Sequence, residues 1–230
     1  MWRAILFSFL IGCSLGVDAK DIGAEYVGIK YASDPLGEAR IPDTDPLIRF
    51  DAFDCTTFVE TVLADGDVQK LNKIRYAGGV PDFVHRNHFI ETDWLKNNSD
   101  IVQNVSAQYA KTAVYSVIID KKNWFKVSHR MDVDIPPETV KLEYIPYKHV
   151  GNIKVERPVV ILFLRKNSKI RDKIGTDLAV RHMGFLLPNG MLRHASRRAG
   201  AVVDNVWTEY VQRMMENQNN LGIMILEIKK

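Results

Sequence analysis

The sequence predicts an α+β domain in which a helix bearing a lone cysteine packs on an antiparallel sheet or half-barrel. Three observations lead there. Residues 51–64 (DAFDCTTFVETVLA) place apolar side chains at helical spacing behind a good N-cap. Strand-like runs rich in β-branched and aromatic residues dominate after residue 112. Helices come mainly first and strands afterwards, rather than alternating as parallel βαβ units do. With 230 residues, 46% of them hydrophobic, the chain is long enough for one domain with a sizeable core. A net charge of +3 is too weak to argue for nucleic acid, though it suits an anionic envelope polymer.

Residues 1–19 have the form of a secretory signal. Arg3 supplies the positive start, residues 4–12 the apolar core, and Val17-Asp18-Ala19 a small-residue cleavage site before Lys20. A single domain over 20–230 then remains. Leu10-Ile11-Gly12-Cys13 also resembles a lipoprotein box, in which Cys13 becomes a lipidated N-terminus, and the sequence leaves both readings open. Both put the protein in the periplasm or outside the cell, touching a membrane only through that anchor. The apolar run is far below the roughly 20 residues of a membrane span. Residues 20–50 read as a folded lead-in, with a helix-like run over 22–27, then Pro35, Gly37, Pro42 and Pro46.

In the 51–64 helix, Asp54 is the expected N-cap and Cys55 sits in the first turn, among amides that lack intrahelical partners. Phe58, Val59, Val62 and Leu63 form the buried stripe. Cys55 precedes Val59 and Val62 by four and seven residues, so it faces the same surface. The positive end of the helix favours thiolate, which predicts a lowered pKa. The only other cysteine is Cys13, which cleavage or lipidation removes from disulfide chemistry. Cys55 is then a single free thiol in an exported chain, where thiols are normally paired, and this favours a reactive group over a packing residue.

Two further helices are expected over 68–76 and 83–97, separated by Gly78-Gly79 and Pro81. Strands are expected over 113–119, 140–147, 159–164, 178–187, 191–196, 201–206 and 222–228, with a helix over 207–216. Leu187-Pro188-Asn189-Gly190-Met191 has the chemistry of a three-residue hairpin loop closed by a left-handed glycine. Pairing Leu187 with Met191 sets Gly184 opposite His194 and puts His182 and His194 on one face, diagonal to each other and about 7–8 Å apart. A two-residue Asn-Gly loop would instead separate them. A helix cysteine, a strand histidine and a second polar group to orient that histidine make a nucleophile–base–orienter set.

Asp54-Cys55-Thr56, then His182-Met183-Gly184, Asn189-Gly190 and His194-Ala195-Ser196, resemble the NlpC-type cell-wall cysteine hydrolases. Those have a papain-like fold with the cysteine helix first and the sheet histidines after it. The lead-in from Tyr31 to Glu38, the 51–64 block, the segment from Arg86-Asn87-His88-Phe89 to Trp94, and the His-Ala-Ser hairpin narrow the resemblance. They look like the N-acetylmuramoyl-L-alanine amidase-like family, over roughly residues 25–228. The resemblance implies Cys55 as nucleophile, His182 as general base and His194 as orienter, with the Cys55 amide in an oxyanion hole and no cofactor. It implies Tyr31 beside the cysteine, and Arg86, His88 and Trp94 along a substrate groove. Asp54 could hold a substrate amine, although capping already accounts for it. The implied substrate is peptidoglycan or its fragments, cut between N-acetylmuramic acid and L-alanine. The alternatives are cleavage of the D-glutamyl–diamino acid bond and a catalytically silent peptidoglycan-binding module.

His85 and His88 have a spacing that can hold metal, but no carboxylate or cysteine clearly joins them, and no metal is expected. Arg193, Arg197 and Arg198 read as a basic rim around His194 or as a carboxylate clamp. The segment 124–130 (WFKVSHR) is expected only to pack a strand edge.

Overall fold

A computed structural model describes residues 21–166 and 169–229, so the signal and lipoprotein readings of residues 1–19 lie outside the described residues. Among the described residues, one sheet of ten strands organises the fold. The strands are β1 (Lys30–Tyr31), β2 (Ala52–Phe53), β3 (Val102–Asn104), β4 (Ala113–Ile119) and β5 (Glu138–Pro146). They continue with β6 (Val159–Arg165), β7 (Val180–Leu186), β8 (Met191–Ser196), β9 (Ala201–Val206) and β10 (Asn220–Ile228). The order across the sheet is β2-β1-β9-β8-β7-β6-β10-β5-β4, with β3 on β10. Every pairing is antiparallel except β1 with β2. The expected α+β class is therefore present, and the seven strands β4 to β10 lie within two residues of their expected bounds, whereas the short β1, β2 and β3 are not among the strands the sequence predicts.

The sheet is covered on both faces, and β6 shows why. Its residues are almost all apolar. Val160, Leu162 and Leu164 point into one core cluster, while Val159, Ile161 and Phe163 point into another. The first core holds Phe58 and Val59 of α1 (Cys55–Leu63). The second holds Trp207, Tyr210 and Val211 of the helix Trp207–Met215. Each large apolar side chain so buried contributes about 2 kcal/mol, which makes this strand the natural centre of the sheet.

α1 starts where the sequence says it should. Asp54 accepts from the Thr57 amide at 2.8 Å, and the Thr57 hydroxyl accepts from the Asp54 amide at 2.9 Å, a reciprocal cap. The helix packs on β7 and β8. It is buried on more than its apolar stripe. Glu60 is enclosed as well, 3.4 Å from Arg75 and accepting from the Trp94 indole at 3.1 Å.

Two expected helices differ. The 22–27 run shrinks to a single turn, Ala24–Tyr26, between Gly23 and Gly28, both with left-handed φ. The expected helix over 83–97 is absent as such. The Asn87 amide donates to the Arg75 carbonyl, and Tyr76 bridges to Arg86, so tertiary pairing holds this stretch out of helix. Only a π-turn, Ile90–Trp94, and one α-turn, Leu95–Asn97, follow. Among the described residues no helix is long and apolar enough to cross a membrane.

Candidate active site

The hairpin decides whether the histidines meet. Leu187 donates to the Met191 carbonyl at 2.9 Å and Gly190 takes φ 77°, which is the three-residue loop. Phe185 then pairs with Arg193 and Leu186 with Leu192. A register shift between Phe163 and Leu164 leaves an irregularity beside His182, the kind of kink that re-aims a side chain next to a site. His182 Nε2 lies 2.6 Å from His194 Nδ1, and His194 Nε2 lies 2.9 Å from Asn205 Oδ1. A Cβ on Gly184 would sit 2.7 Å from the His194 Cβ and the Arg193 carbonyl oxygen. The missing side chain at 184 is thus what lets β8 bring His194 this close.

These contacts dictate the proton positions. An amide oxygen only accepts, so His194 Nε2 carries the hydrogen. The neutral ring of His194 is then bare at Nδ1 and accepts from His182 Nε2–H. His182 is left with a bare Nδ1, the nitrogen available to a thiol. Phe163 tilts against His182, and Tyr210 sets its ring edgewise to His194, so both imidazoles are wedged in place.

Cys55 is the first residue of α1 and half-buried. It lines a cavity of about 190 Å³ together with His182, Thr56, Asn87, His88 and Arg181. The Met183 amide donates to its sulfur. The amides of Cys55 and Thr56 open the first turn of α1, where a helix offers them no backbone acceptor. They are the donors an oxyanion would need.

The expected lowering of the thiol pKa is not found. Burial, followed by the negative charge of Asp54, pushes the Cys55 thiol up to about 11. Removal from water outweighs the dipole of a short helix. Burial, with the neighbouring His194, also pulls His182 down to about 3. At rest the pair is therefore a neutral thiol beside a neutral imidazole.

Residues 21–218 match the family described as AmiA-like, N-acetylmuramoyl-L-alanine amidase-like. The chain belongs to the N-acetylmuramoyl-L-alanine amidase-like family. This amidase-like chain also resembles solved structures. A Legionella pneumophila protein superposes with a TM-score of 0.82 at 23% identity, over 91% of this chain and 87% of that one. An N-acetylmuramoyl-L-alanine amidase from Bacteroides uniformis superposes with a TM-score of 0.68 at 24% identity, over 90% and 96%. At such identities the likeness concerns the fold. No curated protein matches the chain.

Of the residues expected to line the family member's groove, some are elsewhere. Trp94 is 0% exposed and tied to Glu60, so it belongs to the core. Arg86 is buried, with bonds to both Glu38 oxygens and to Asp43, which leaves it little capacity for a substrate. It still borders a second cavity, of about 280 Å³. His88 does reach the site. Its Nε2 donates to the Phe83 carbonyl at 2.6 Å, and burial pulls it down to about 3, so it is a neutral wall. Tyr31 is half-buried on β1, and the charges acting on it include Asp54, Cys55 and Arg197, which sets it beside the thiol. Asp54 spends Oδ1 on the cap and accepts from the Asp34 amide with Oδ2 at 3.3 Å.

The expected basic rim loses one member. Arg193 is 4% exposed and holds Asp204 and Asp21 at 2.7 Å each, so it ties β8 to β9 and to the lead-in. Arg197 and Arg198 remain exposed. The rings of His85 and His88 bond separately to Asp82 and to the Phe83 carbonyl. Two groups escaped sequence reasoning. Asn205 was findable: continuing the register across the β8–β9 hairpin puts Val203 opposite His194 and Asn205 two residues further on. Trp124 and His129, in the wall of the second cavity, carried no signal, since their placement depends on a π-turn.

Proposed function

We propose that the protein is an exported cysteine amidase of papain-like, NlpC-type architecture that hydrolyses the bond between N-acetylmuramic acid and L-alanine in peptidoglycan or its fragments. Cys55 is the nucleophile, His182 the general base and His194 the orienter. The observation that carries the reading is the chain from His182 to His194 to Asn205, opening on the same cavity as a thiol at a helix start. Family membership supplies the substrate class.

The steps follow from the proton positions. His182 Nδ1 takes the thiol proton as sulfur attacks the lactyl carbonyl carbon. The oxygen becomes an oxyanion held by the amides at the start of α1. The imidazolium returns the proton to the L-alanine nitrogen, the C–N bond breaks, and a thioester remains. Water, deprotonated by His182, then releases the lactyl carboxylate and restores the thiol. Tyr31 is placed to hold the oxyanion or the peptide backbone.

Mass spectrometry of products from muramoyl peptides tests the bond. Free L-alanyl peptide is expected, with no product from Cys55→Ala. The D-glutamyl–diamino acid endopeptidase reading has one observation in its favour, since Asp34 and Asp54 near the thiol could hold a free peptide amine. It takes over if sugar-free tripeptides are cut and muramoyl-L-alanine is untouched. No turnover of either substrate by the intact chain would leave a silent binding module.

A further inference from the structure

The strand that carries the base starts irregularly. Pairing of β7 with β6 is regular from Leu186 back to His182, which faces Phe163. Val180 then faces Leu164, so Arg181 is an extra residue in β7. In a regular strand successive amides point to opposite sides. Here two successive amides, those of Ala179 and Val180, both donate to Glu91 Oε1 at 2.7 Å. The chain is therefore bent just ahead of His182, and a single carboxylate oxygen holds the bend.

The burial of Glu91 needs a reason. It is 4% exposed, and a buried carboxylate is costly unless it is paired. Among the described residues no cation is paired with it, since Lys121 nearby pairs with Asp93. Its Oε2 has no hydrogen-bond partner among the described residues. A residue kept for packing alone would serve better as an apolar side chain of the same volume. What the carboxylate gains here is two charge-assisted bonds to the bent backbone.

Glu91 is itself held firmly. It belongs to the π-turn Ile90–Trp94, where Asp93 Oδ2 accepts from the Phe89 amide at 3.2 Å. Trp94 donates its indole hydrogen to Glu60 of α1. Ile90 lines the thiol cavity together with Val180, Arg181 and His182. One turn thus grips both sides of the pair. Trp94 holds the helix of Cys55, and Glu91 holds the strand of His182. Irregularities of this kind are rare and occur disproportionately at functional sites.

We propose that Glu91 is a positioning residue for the base, whose Oε1 holds the bend before His182 and so sets the aim of His182 Nδ1 at the Cys55 sulfur. It touches neither the substrate nor the reacting atoms. The inference rests on the cysteine amidase reading for the role of His182, and on the fold alone for the bend.

Three substitutions test it. Glu91→Gln keeps an oxygen that can accept from both amides, and its NH2 replaces an atom with no partner to lose. It should cost stability but keep kcat on muramoyl peptides within about threefold. Glu91→Leu keeps the bulk and removes the acceptor. It should lower kcat about 100-fold with KM little changed, the cost of a misplaced catalytic group. Glu91→Asp keeps the charge but withdraws the carboxylate by one methylene, out of reach of both amides. It should lower kcat about tenfold, and it serves if Glu91→Leu fails to fold. Ring 15N NMR of histidine-labelled protein adds a readout that needs no turnover. His182 should show a single Nε2–H tautomer in the intact chain and in Glu91→Gln, and a mixture in the other two. An unchanged kcat or an unchanged tautomer in folded Glu91→Asp or Glu91→Leu overturns the proposal, as does equal damage by Gln and Leu. If the intact chain leaves muramoyl peptides uncut, the amidase reading falls, and the His182 tautomer in the three variants decides on Glu91 by itself.

Discussion

His194 stands between two partners, 2.6 Å from His182 and 2.9 Å from Asn205, and the acceptor-only oxygen of Asn205 sets the hydrogen on both rings. A base with the wrong tautomer is present but useless, which is why such orienting contacts carry large rate effects. Asn205→Leu should lower kcat about 100-fold with little change in KM. Asn205→Asp keeps an acceptor and adds a negative charge that favours imidazolium. It should retain activity, with the acid limb of the pH–rate profile moved to higher pH. Profiles of both variants check this. Equal damage in both would mean that Asn205 only packs.

The raised thiol pKa predicts how Cys55 reacts without substrate. Its thiolate fraction near pH 7 is small, because burial holds the thiol up at about 11. Alkylation by iodoacetamide should climb steadily from pH 6 to 9 and stay slower than that of free cysteine. A fast reaction with a plateau below pH 7 would show a preformed thiolate–imidazolium pair instead.

Gly184 and Gly190 make a paired test. Gly184→Ala puts a methyl 2.7 Å from two atoms of β8. Overpacking of this kind costs about 1–3 kcal/mol, and here it would push His194 away from His182. Gly190 has left-handed φ but open space around its Cβ. Gly190→Ala should therefore lower stability by about 1 kcal/mol and leave kcat alone. Thermal melts and kinetics on both variants separate strain at the turn from displacement at the site.

Glu60 gives a stability prediction with a definite sign. Burial outweighs Arg75 and raises its carboxyl to about 7 in the folded chain, from 4.5. Between those values the folded state binds more protons than the unfolded one, so stability falls as pH rises from about 4.5 to 7. The full shift corresponds to about 3 kcal/mol. Glu60→Gln should flatten that part of the stability–pH curve, as measured by denaturant melts from pH 4 to 8. A slope unchanged in the variant would place the titration on another group.

Much of this chain is legible in its sequence. Asp54 as cap, the stripe of α1, and the alternation of β8 and β9 are local patterns, and the elements formed where those patterns placed them. The meeting of His182 with His194 was legible too, because a three-residue turn fixes register along the whole hairpin. The stretch 83–97 misled because its apolar spacing suits a helix. Pairing of Asn87 and Arg86 with distant backbone overrides that local preference.

By itself the sequence determined α1, the strands from β4 onwards and the register of the β7–β8 hairpin, since these depend on neighbours along the chain. Tertiary structure alone decided the rest. Whether a thiol ionises depends on how much water the packed fold removes from it, and that reversed the expectation for Cys55. Whether Trp94, Arg86 and Arg193 face a groove or the interior depends on distant partners, Glu60, Glu38 and Asp204, which no local pattern can specify. The wall of Trp124 and His129 exists only because a π-turn carries residue 129 over residue 124, beside a helix start some seventy residues earlier in the chain.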